Sequence, residues 1–286
     1  LPISAVPGYY NNDRFSKKAV NVGSLRNRGY EITIQSNNLQ TKDLTWTTML
    51  NFGHNHNELT KIYGEENQII SGVRIHKVGE PYYSYYGYEN TGRESYYLNN
   101  GTSNARNTTI NPNEAKKVII GNHETKIEGG FSNNITWKFI DFGLNFTFSL
   151  GGKAFDAATW QHNNGNYTFG GQLPTYYDIN KMWTSPGDTN ASQPVFQYGN
   201  SSEVSSRWLM PTDYLRLKSL TLGFTAPSQW VTRIGLSKAR AFFSASNLLT
   251  WKSKDLYVDP EMRVDGVCTF QTPALRTFTF GIELGF

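Results

Sequence analysis

Apolar and polar residues alternate along several segments of the chain, and this period of two predicts β-strands rather than helices. The pattern is clearest at the C-terminus, where every second residue from Phe278 to Phe286 is apolar and those between are small or polar. The same alternation on both sides of a short turn at Lys138–Asp141 predicts an antiparallel hairpin. The predicted strands are Gly29–Gln35, Leu44–Gly53, Pro81–Tyr88, Lys126–Lys138, Phe142–Leu150, Tyr214–Phe224, Ala239–Leu248 and Thr277–Phe286.

The connections between these strands are of two kinds. Asn37–Asp43 and Lys138–Asp141 are short, whereas Asn90–Asn122 and Ala154–Met210 are long, polar and rich in Asn, Gly and Tyr. Long loops without structure of their own are uncommon in compact domains. Short turns at one end and long loops at the other are typical of outer-membrane β-barrels, with the long loops outside the cell. Within Tyr214–Phe224 the alternation also changes phase, which predicts a β-bulge.

Composition agrees with a barrel. Of the 286 residues, 17% are charged and 14% aromatic, and the mean hydropathy is −0.52. No apolar run is long enough for a transmembrane helix, but barrel strands alternate and average out as hydrophilic. The predicted fold class is therefore all-β, an antiparallel transmembrane β-barrel. No linker divides the chain, so residues 1–286 form one predicted structural unit.

Several kinds of chemistry are excluded or disfavoured. The net charge of +4 is small and scattered, unlike the basic surface that nucleic acids require. The single cysteine, Cys268, rules out an internal disulfide and a cysteine zinc site. The carboxylates of Asp255, Asp259 and Glu261 are close in sequence, but the Pro260 between the last two favours a rigid turn over a catalytic pair. We predict no catalytic residue and no cofactor.

His54, His56 and Glu58 form the best candidate for a metal site, because alternate residues of a strand share one face. Spacing alone is weak evidence for metal binding. The alternative interpretation is a strand that reaches the barrel rim with its polar residues facing the lumen, and we favour this alternative.

Clustered aromatic residues are the best candidates for substrate contact, because their flat faces stack on sugars and grip peptides. The same residues also suit the aromatic girdles of a barrel or the packing of loops. For the Tyr82–Tyr88 group, girdle or loop packing is the preferred interpretation; for the second loop the two interpretations are balanced. The candidate substrate contacts are Tyr82, Tyr83, Tyr85, Trp160, Tyr167, Tyr176 and Tyr177.

Several segments, in order, resemble the C-terminal part of SusC/RagA-type TonB-dependent outer-membrane transporters of the Bacteroidetes. The most specific is Tyr214–Phe224, YLRLKSLTLGF, followed by Asn247–Thr250 and Asp259–Glu261. The final aromatic residue, Phe286, is similar to a barrel-insertion signal. The other matching segments are Asn21–Glu31, Val78–Pro81, Tyr86–Tyr88 with Gly92, Ile120–Gly121, Gly129–Asn133, and Trp183 with Pro186–Asp188.

This resemblance implies a multi-pass outer-membrane protein in a barrel of about 22 strands with a plug. About eight strands cannot close such a barrel, so the chain is expected to be its C-terminal portion. The implied partners are the remaining N-terminal barrel and plug, TonB acting through the plug, a SusD-like surface lipoprotein and outer-membrane lipid. The implied function is nutrient import of oligosaccharides, or of peptides, without covalent chemistry.

Two alternatives remain open at this point. A soluble β-rich module that binds or hydrolyses carbohydrate explains the alternation and the aromatic residues, provided that a second sheet buries its apolar faces. A small passive outer-membrane barrel is also possible, because eight strands can close.

Overall fold

The computed structural model describes residues 2–7, 17–21, 23–63, 67–90, 96–97, 108–109, 115–162, 180, 203–261, 265–269 and 272–286. Nearly all strand pairs are antiparallel, as predicted. The strands are β1 Pro2–Pro7, β2 Lys17–Asn21, β3 Gly23–Gln40, β4 Leu44–Ile62, β5 Gln68–Ser71, β6 Arg74–Lys77, β7 Ser84–Gly87, β8 Tyr96–Tyr97, β9 Thr108–Thr109, β10 Val118–Asn122, β11 Ile127–Trp137, β12 Ile140–Leu150, β13 Lys153–Asp156, β14 Leu209–Pro211, β15 Tyr214–Thr225, β16 Lys238–Lys252, β17 Val267–Cys268 and β18 Thr277–Gly285.

Helical structure is scarce in the described residues. The α-helices are α1, Ala157–His162, and α2, Ser228–Val231; Ser206–Trp208 and Thr232–Ile234 form 3-10 turns. No helix in these parts of the chain is both long and apolar enough to cross a membrane.

The seven longest strands form one sheet, which we call the wall. Its order is β18-β16-β15-β12-β11-β4-β3. Hairpins β3–β4 and β11–β12 turn at residues 41–43 and 138–139, and the chain reverses at the second with Lys138 at a positive φ of 53°. The described residues show no partner strand beyond β3 or β18 in this sheet. Within the described part of the chain, β3 and β18 are therefore the edge strands of the wall.

The two faces of the wall differ in polarity. Residues directly opposite one another on neighbouring strands share a face. One such row, on the face that we call outer, is apolar apart from a glycine: Ile32, Phe52, Gly129, Phe148, Leu215 and Trp251. The adjacent row, on the inner face, is polar or small: Glu31, Gly53, Glu128, Ser149, Tyr214 and Lys252.

The outer face leaves large apolar side chains uncovered. On β18, Phe278, Phe280 and Ile282 are 62%, 71% and 64% exposed. Burial of apolar surface is the main favourable term in folding. Such a surface is stable when hydrocarbon rather than water covers it, as around a transmembrane barrel.

The structure confirms seven of the eight predicted strands as parts of the wall and extends several of them. The first continues to Gln40, so the predicted turn Asn37–Asp43 shrinks to residues 41–43. The predicted bulge is present, because the pairing of β15 with β16 shifts between Leu217 and Ser219. The phase change in the sequence thus has a direct structural cause.

The eighth prediction is corrected. Within Pro81–Tyr88 only Ser84–Gly87 is a strand, and it lies in a separate four-stranded sheet, β10-β7-β6-β5. The predicted long loops also contain structure of their own, including β10, β13 and α1. Period-two alternation identifies a strand but does not say which sheet it joins.

The β15–β16 connection, residues 226–237 with α2, lies on the same side of the wall as the two short turns, whereas the three longest connections leave on the opposite side. They run from β4 to β11, from β12 to β15 and from β16 to β18. Their described parts pack into what we call the loop body: strands β5–β7, β10, β13, β14 and β17 with α1. Its core consists of the buried residues Tyr85, Ile120, Phe155, Ala157 and Trp208.

Candidate functional site

A cleft of about 410 Å³ opens on the inner face where the wall meets the long connections. Five neighbouring strands supply its lining, because alternate residues of each strand point inward. The side chains are mostly hydroxyls, amides and carboxylates, which suit hydrogen bonding to a polar ligand. The polar lining residues are Glu31, Thr33, Asn51, Glu128, Thr147, Tyr214 and Glu261.

One end of the cleft is built around Arg216, whose side chain is only 3% exposed. Its Nη2 donates to Asp259 Oδ1 at 2.8 Å, its Nη1 donates to Glu261, and its Nε donates to Thr250 Oγ1 at 3.0 Å. Lys218 Nζ donates to Glu261 Oε2 at 2.7 Å. We call these five residues the Arg216 cluster.

Both carboxylates of the Arg216 cluster are stabilised in the charged form. Burial opposes ionisation of Asp259, but the Arg216 guanidinium and the backbone N–H groups of Glu261 and Ala274 outweigh it, so the pKa of Asp259 lies below its ordinary value. Burial likewise opposes ionisation of Glu261, and Lys218 and Arg216 hold its pKa below the ordinary value. The cluster thus ties the β16–β18 connection to the wall.

The Arg216 cluster joins the stretches Tyr214–Phe224, Asn247–Thr250 and Asp259–Glu261, which carry the family resemblance. The prediction that Asp259-Pro260-Glu261 forms a turn fits the structure, in which the Glu261 N–H donates to Asp259 Oδ1 at 3.0 Å. Reasoning from the sequence did not assign Arg216 a role. A basic residue between apolar neighbours on a strand was the available signal.

The candidate aromatic residues have different surroundings. The rings of Tyr82 and His76 stack at 4.4 Å, and Tyr82 meets Tyr83 edge-on at 4.9 Å. Both tyrosines are half-buried. The Tyr82 backbone N–H donates to Asn57 Oδ1 at 2.7 Å, which holds this pair beside β4.

Trp160 is half-buried on α1 and packs edge-on against Phe155 at 5.8 Å. Tyr167, Tyr176 and Tyr177 lie outside the described residues. Tyr85 is fully buried, and its hydroxyl donates to Gly266 O at 2.8 Å and to Lys153 O at 3.0 Å. It presents no surface to a ligand, so we drop it from the candidate contacts. Tyr85 is a core residue of the loop body.

His54, His56 and Glu58 do not come together as a metal site. His56 Nδ1 lies 2.8 Å from Glu124 Oε2, and Glu58 pairs with Arg26. No cluster of three metal-binding side chains occurs among the residues that the structure describes. The favoured alternative, in which these polar residues face the lumen at the barrel rim, is also corrected. His54 pairs with Tyr30, two residues along from the pair Ile32 and Phe52, so it lies on the outer face and not on the inner face.

Comparison with known proteins adds to this geometry. The chain is 28% identical over 309 residues to TonB-dependent receptor P3 of Formosa agariphila, covering 95% of this chain and 30% of that protein. It is 26% identical over 285 residues to TonB-dependent receptor SusC of Bacteroides thetaiotaomicron, covering 93% and 27%. The chain is thus similar in sequence to TonB-dependent receptors, SusC among them. No family model matches it.

Solved structures agree on the fold. A structure described as the RagAB peptide transporter superposes with a TM-score of 0.80 at 24% identity, covering 95% of this chain and 30% of that one. A structure of the RagAB peptide importer in its open-open state superposes with a TM-score of 0.77 at 25% identity, covering 99% of this chain and 31% of that one. The chain thus has the fold of part of an outer-membrane transporter barrel, and it spans about 30% of the length of these relatives.

Proposed function

We propose that this chain forms part of the barrel wall of a TonB-dependent outer-membrane importer for oligosaccharides or peptides. The observation that carries the proposal is the polarity of the wall, apolar outside and polar inside, in a sheet that superposes on a peptide transporter. In this proposal residues 1–286 are the C-terminal part of the barrel, and the plug and the remaining strands belong to the rest of the transporter.

The proposed substrate route follows the inner face. Tyr214, at the edge of the cleft, presents an aromatic ring beside carboxylates and hydroxyls. Tyr82, Tyr83 and Trp160 remain the candidate contacts in the loop body, together with Tyr167, Tyr176 and Tyr177. Stacking and hydrogen bonding of this kind hold sugars and peptides equally well. We propose binding and transport only, with no covalent chemistry.

Uptake by intact cells tests this proposal. The gene is deleted in the source bacterium, and the accumulation of labelled oligosaccharides and labelled peptides is compared with the parent strain. We expect the deletion to abolish uptake of one of the two classes, and a strain without TonB to show the same loss. Unchanged uptake of both classes would contradict the importer.

The proposed partners have a separate test. We expect the transporter, purified from native outer membranes in mild detergent, to carry a SusD-like surface lipoprotein. A purified transporter without such a lipoprotein, from cells in which the lipoprotein is produced, would remove that partner from the proposal. The proposal that the protein is an importer would then still depend on the uptake experiment alone.

The alternatives predict different behaviour. A soluble carbohydrate-binding module would have to bury the outer face against a second sheet, but Phe278, Phe280 and Ile282 of β18 are exposed. Partition of the protein into detergent rather than buffer distinguishes the barrel from the soluble module. A small passive barrel predicts that the isolated chain refolds in detergent as a closed, conducting pore.

A further inference from the structure

The β15–β16 connection exposes large apolar side chains at the end of the wall that carries the short turns. It contains one helical run, α2 at Ser228–Val231 followed by the 3-10 turn Thr232–Ile234, and we call this run the connection helix. Val231 is only 3% exposed, and α2 contacts β16. Trp230 and Ile234, by contrast, are 60% and 71% exposed. They are four residues apart, so they share one face of the connection helix.

The depth of the connection helix in the membrane follows from the length of the wall strands. The outer-face residues of β11, from Ile127 to Trp137, are apolar or glycine apart from Asn133. This stretch is about 33 Å long at about 3.3 Å per residue. With a strand tilt of about 40° it spans about 25 Å across the membrane, which is the height of the apolar band of an outer-membrane barrel. The band therefore ends at Trp137 on the side of the short turns.

The β15–β16 connection starts at this lower limit of the apolar band. Trp137 pairs with Ile140, and Ile140 pairs with Phe224, so the three residues lie in one row. The connection helix begins at Ser228, four residues beyond Phe224. It therefore lies at the level of the lipid headgroups, where tryptophan is enriched in membrane proteins. On the side of the short turns this level belongs to the periplasmic leaflet.

Basic side chains accompany the exposed apolar residues on this side of the wall. Arg233 of the connection helix is exposed and forms no ion pair with any described residue. The two short turns carry Lys42 and Lys138, which are exposed and likewise unpaired within the described parts of the chain. Asp43 is the one acidic residue of these turns. The surface thus complements the negative charge of phospholipid headgroups.

The inner face at the same end of the wall is charged and does not match the exposed apolar side chains. Arg240 Nη2 donates to Asp141 Oδ2 at 2.7 Å, and Lys238 Nζ donates to Glu283 Oε2 at 3.1 Å. On the outer face Leu284 of β18 is 52% exposed and continues the apolar area to this level. The apolar face of the connection helix therefore continues the lipid-facing surface and not the lumen surface.

We propose that the connection helix binds the phospholipid surface of the periplasmic leaflet. Trp230 and Ile234 enter the boundary between the headgroups and the acyl chains, and Arg233 pairs with a lipid phosphate. Aromatic, aliphatic and basic side chains on one helix bind membrane surfaces in this way. The connection helix thereby holds the short-turn end of the wall at a fixed depth. This inference rests on the outer-membrane location and not on the transported substrate.

Fluorescence quenching in vesicles tests the contact. The complete transporter, with its other cysteines replaced by serine, carries either Ile234→Cys or the control Gln229→Cys, an exposed position on the opposite side of the connection helix. Each variant is labelled with an environment-sensitive fluorophore and reconstituted into vesicles of phosphatidylethanolamine and phosphatidylglycerol. We expect acyl chains brominated near their ester groups to quench the label at position 234. Iodide, present on both sides of the vesicle membrane, should quench the label at position 229.

A second measurement tests the pairing of Arg233 with phosphate. Vesicles of phosphatidylcholine contain the same small fraction of either brominated phosphatidylglycerol or brominated phosphatidylcholine. We expect about fivefold enrichment of the anionic lipid around the label at position 234, as one basic residue near a membrane surface produces. Arg233→Gln should remove the enrichment. Lys238→Gln, which changes a residue that is paired with Glu283 on the inner face, should leave it unchanged.

The results that would overturn the proposal are distinct from one another. Equal iodide quenching at positions 234 and 229 would show that water covers this face. A label at position 234 that is shielded from both quenchers would show that another protein segment covers it. An enrichment that survives Arg233→Gln would remove the phosphate contact. Heat-modifiable migration on gels confirms insertion of each variant, and failure of this proposal leaves the uptake results untouched.

Discussion

The wall and the loop body place their large apolar side chains in opposite ways. In the loop body Tyr85 and Phe155 are fully buried. In the wall Phe280 and Leu222 point outward and are 71% and 46% exposed. Since the hydrophobic effect acts on both, the difference lies in the surroundings. The loop body folds in water around its own core, and the wall requires hydrocarbon outside.

The largest expected effect comes from a charge on the outer face. Phe280→Arg places a cation against lipid, at a cost of about 2–4 kcal/mol near the membrane midplane. Thr279→Arg places the same residue on the inner face. We expect Phe280→Arg to abolish assembly of heat-modifiable barrel in the outer membrane and Thr279→Arg to assemble normally. Equal assembly would show that the two faces are assigned wrongly.

A cavity in the core of the loop body should destabilise the loop body and leave the wall intact. Phe155→Ala empties a fully buried site and is expected to destabilise the loop body by about 3–5 kcal/mol. Leu215→Ala removes an apolar residue from the outer face and is the control. Hydrogen exchange of residues 118–122 and 153–156 should accelerate in Phe155→Ala alone, while both barrels remain inserted. Acceleration across the wall strands as well would mean that the two regions do not fold separately.

The Arg216 cluster joins the two regions, and its loss should have an intermediate effect. Arg216→Met leaves two carboxylates without their buried partner, which costs about 3–5 kcal/mol locally. Lys218→Met, on the same face, removes a half-exposed partner of Glu261 and is expected to cost at most about 1 kcal/mol. Limited proteolysis at residues 253–261 measures how far the β16–β18 connection is released from the wall. Cleavage at the same rate in both variants would contradict the central role of Arg216.

The smallest expected effect is acid release of the β16–β18 connection. The pKa values of Asp259 and Glu261 lie below their ordinary values of 3.8 and 4.5, so the tied state binds fewer protons than the released state. Its stabilisation is complete above these ordinary values and is lost as the pH falls below them. Proteolysis with an acid-active protease should therefore increase below about pH 4. Asp259→Asn combined with Glu261→Gln should show no such rise.

The sequence predicts the strands of the wall better than those of the loop body. Wall strands such as β12 and β18 follow directly from their alternation, because one face meets lipid and the other the lumen along their whole length. Strands of the loop body, such as Ser84–Gly87 and Lys153–Asp156, are only four residues long. Four residues contain too little periodicity to distinguish a strand from a loop.

The candidate site shows the same limit. Tyr82 and Tyr85 are three residues apart in one cluster, yet one is half-buried and the other is fully buried. The difference arises from contacts with Gly266 and Lys153, which are far away in sequence. Likewise, Arg216 meets Asp259 across 43 residues. The alternation of apolar and polar residues along the chain carries no information about such distant pairings. The family resemblance was the one indication from the sequence that the segments containing Arg216 and Asp259 belong together.

The one-sided arrangement of the long connections affects how freely the sequence of this protein can change. A two-residue turn such as Lys138–Phe139 fixes the pairing register of the two strands that it joins. A residue inserted there would shift that register by one and move the side chains of one strand to the other face of the sheet. A long connection has no such constraint, because doubling the length of a flexible loop adds only about 0.6 kcal/mol of closure entropy. Evolution can therefore rebuild the side of the wall that carries the long connections while the strands and the turns on the opposite side stay as they are.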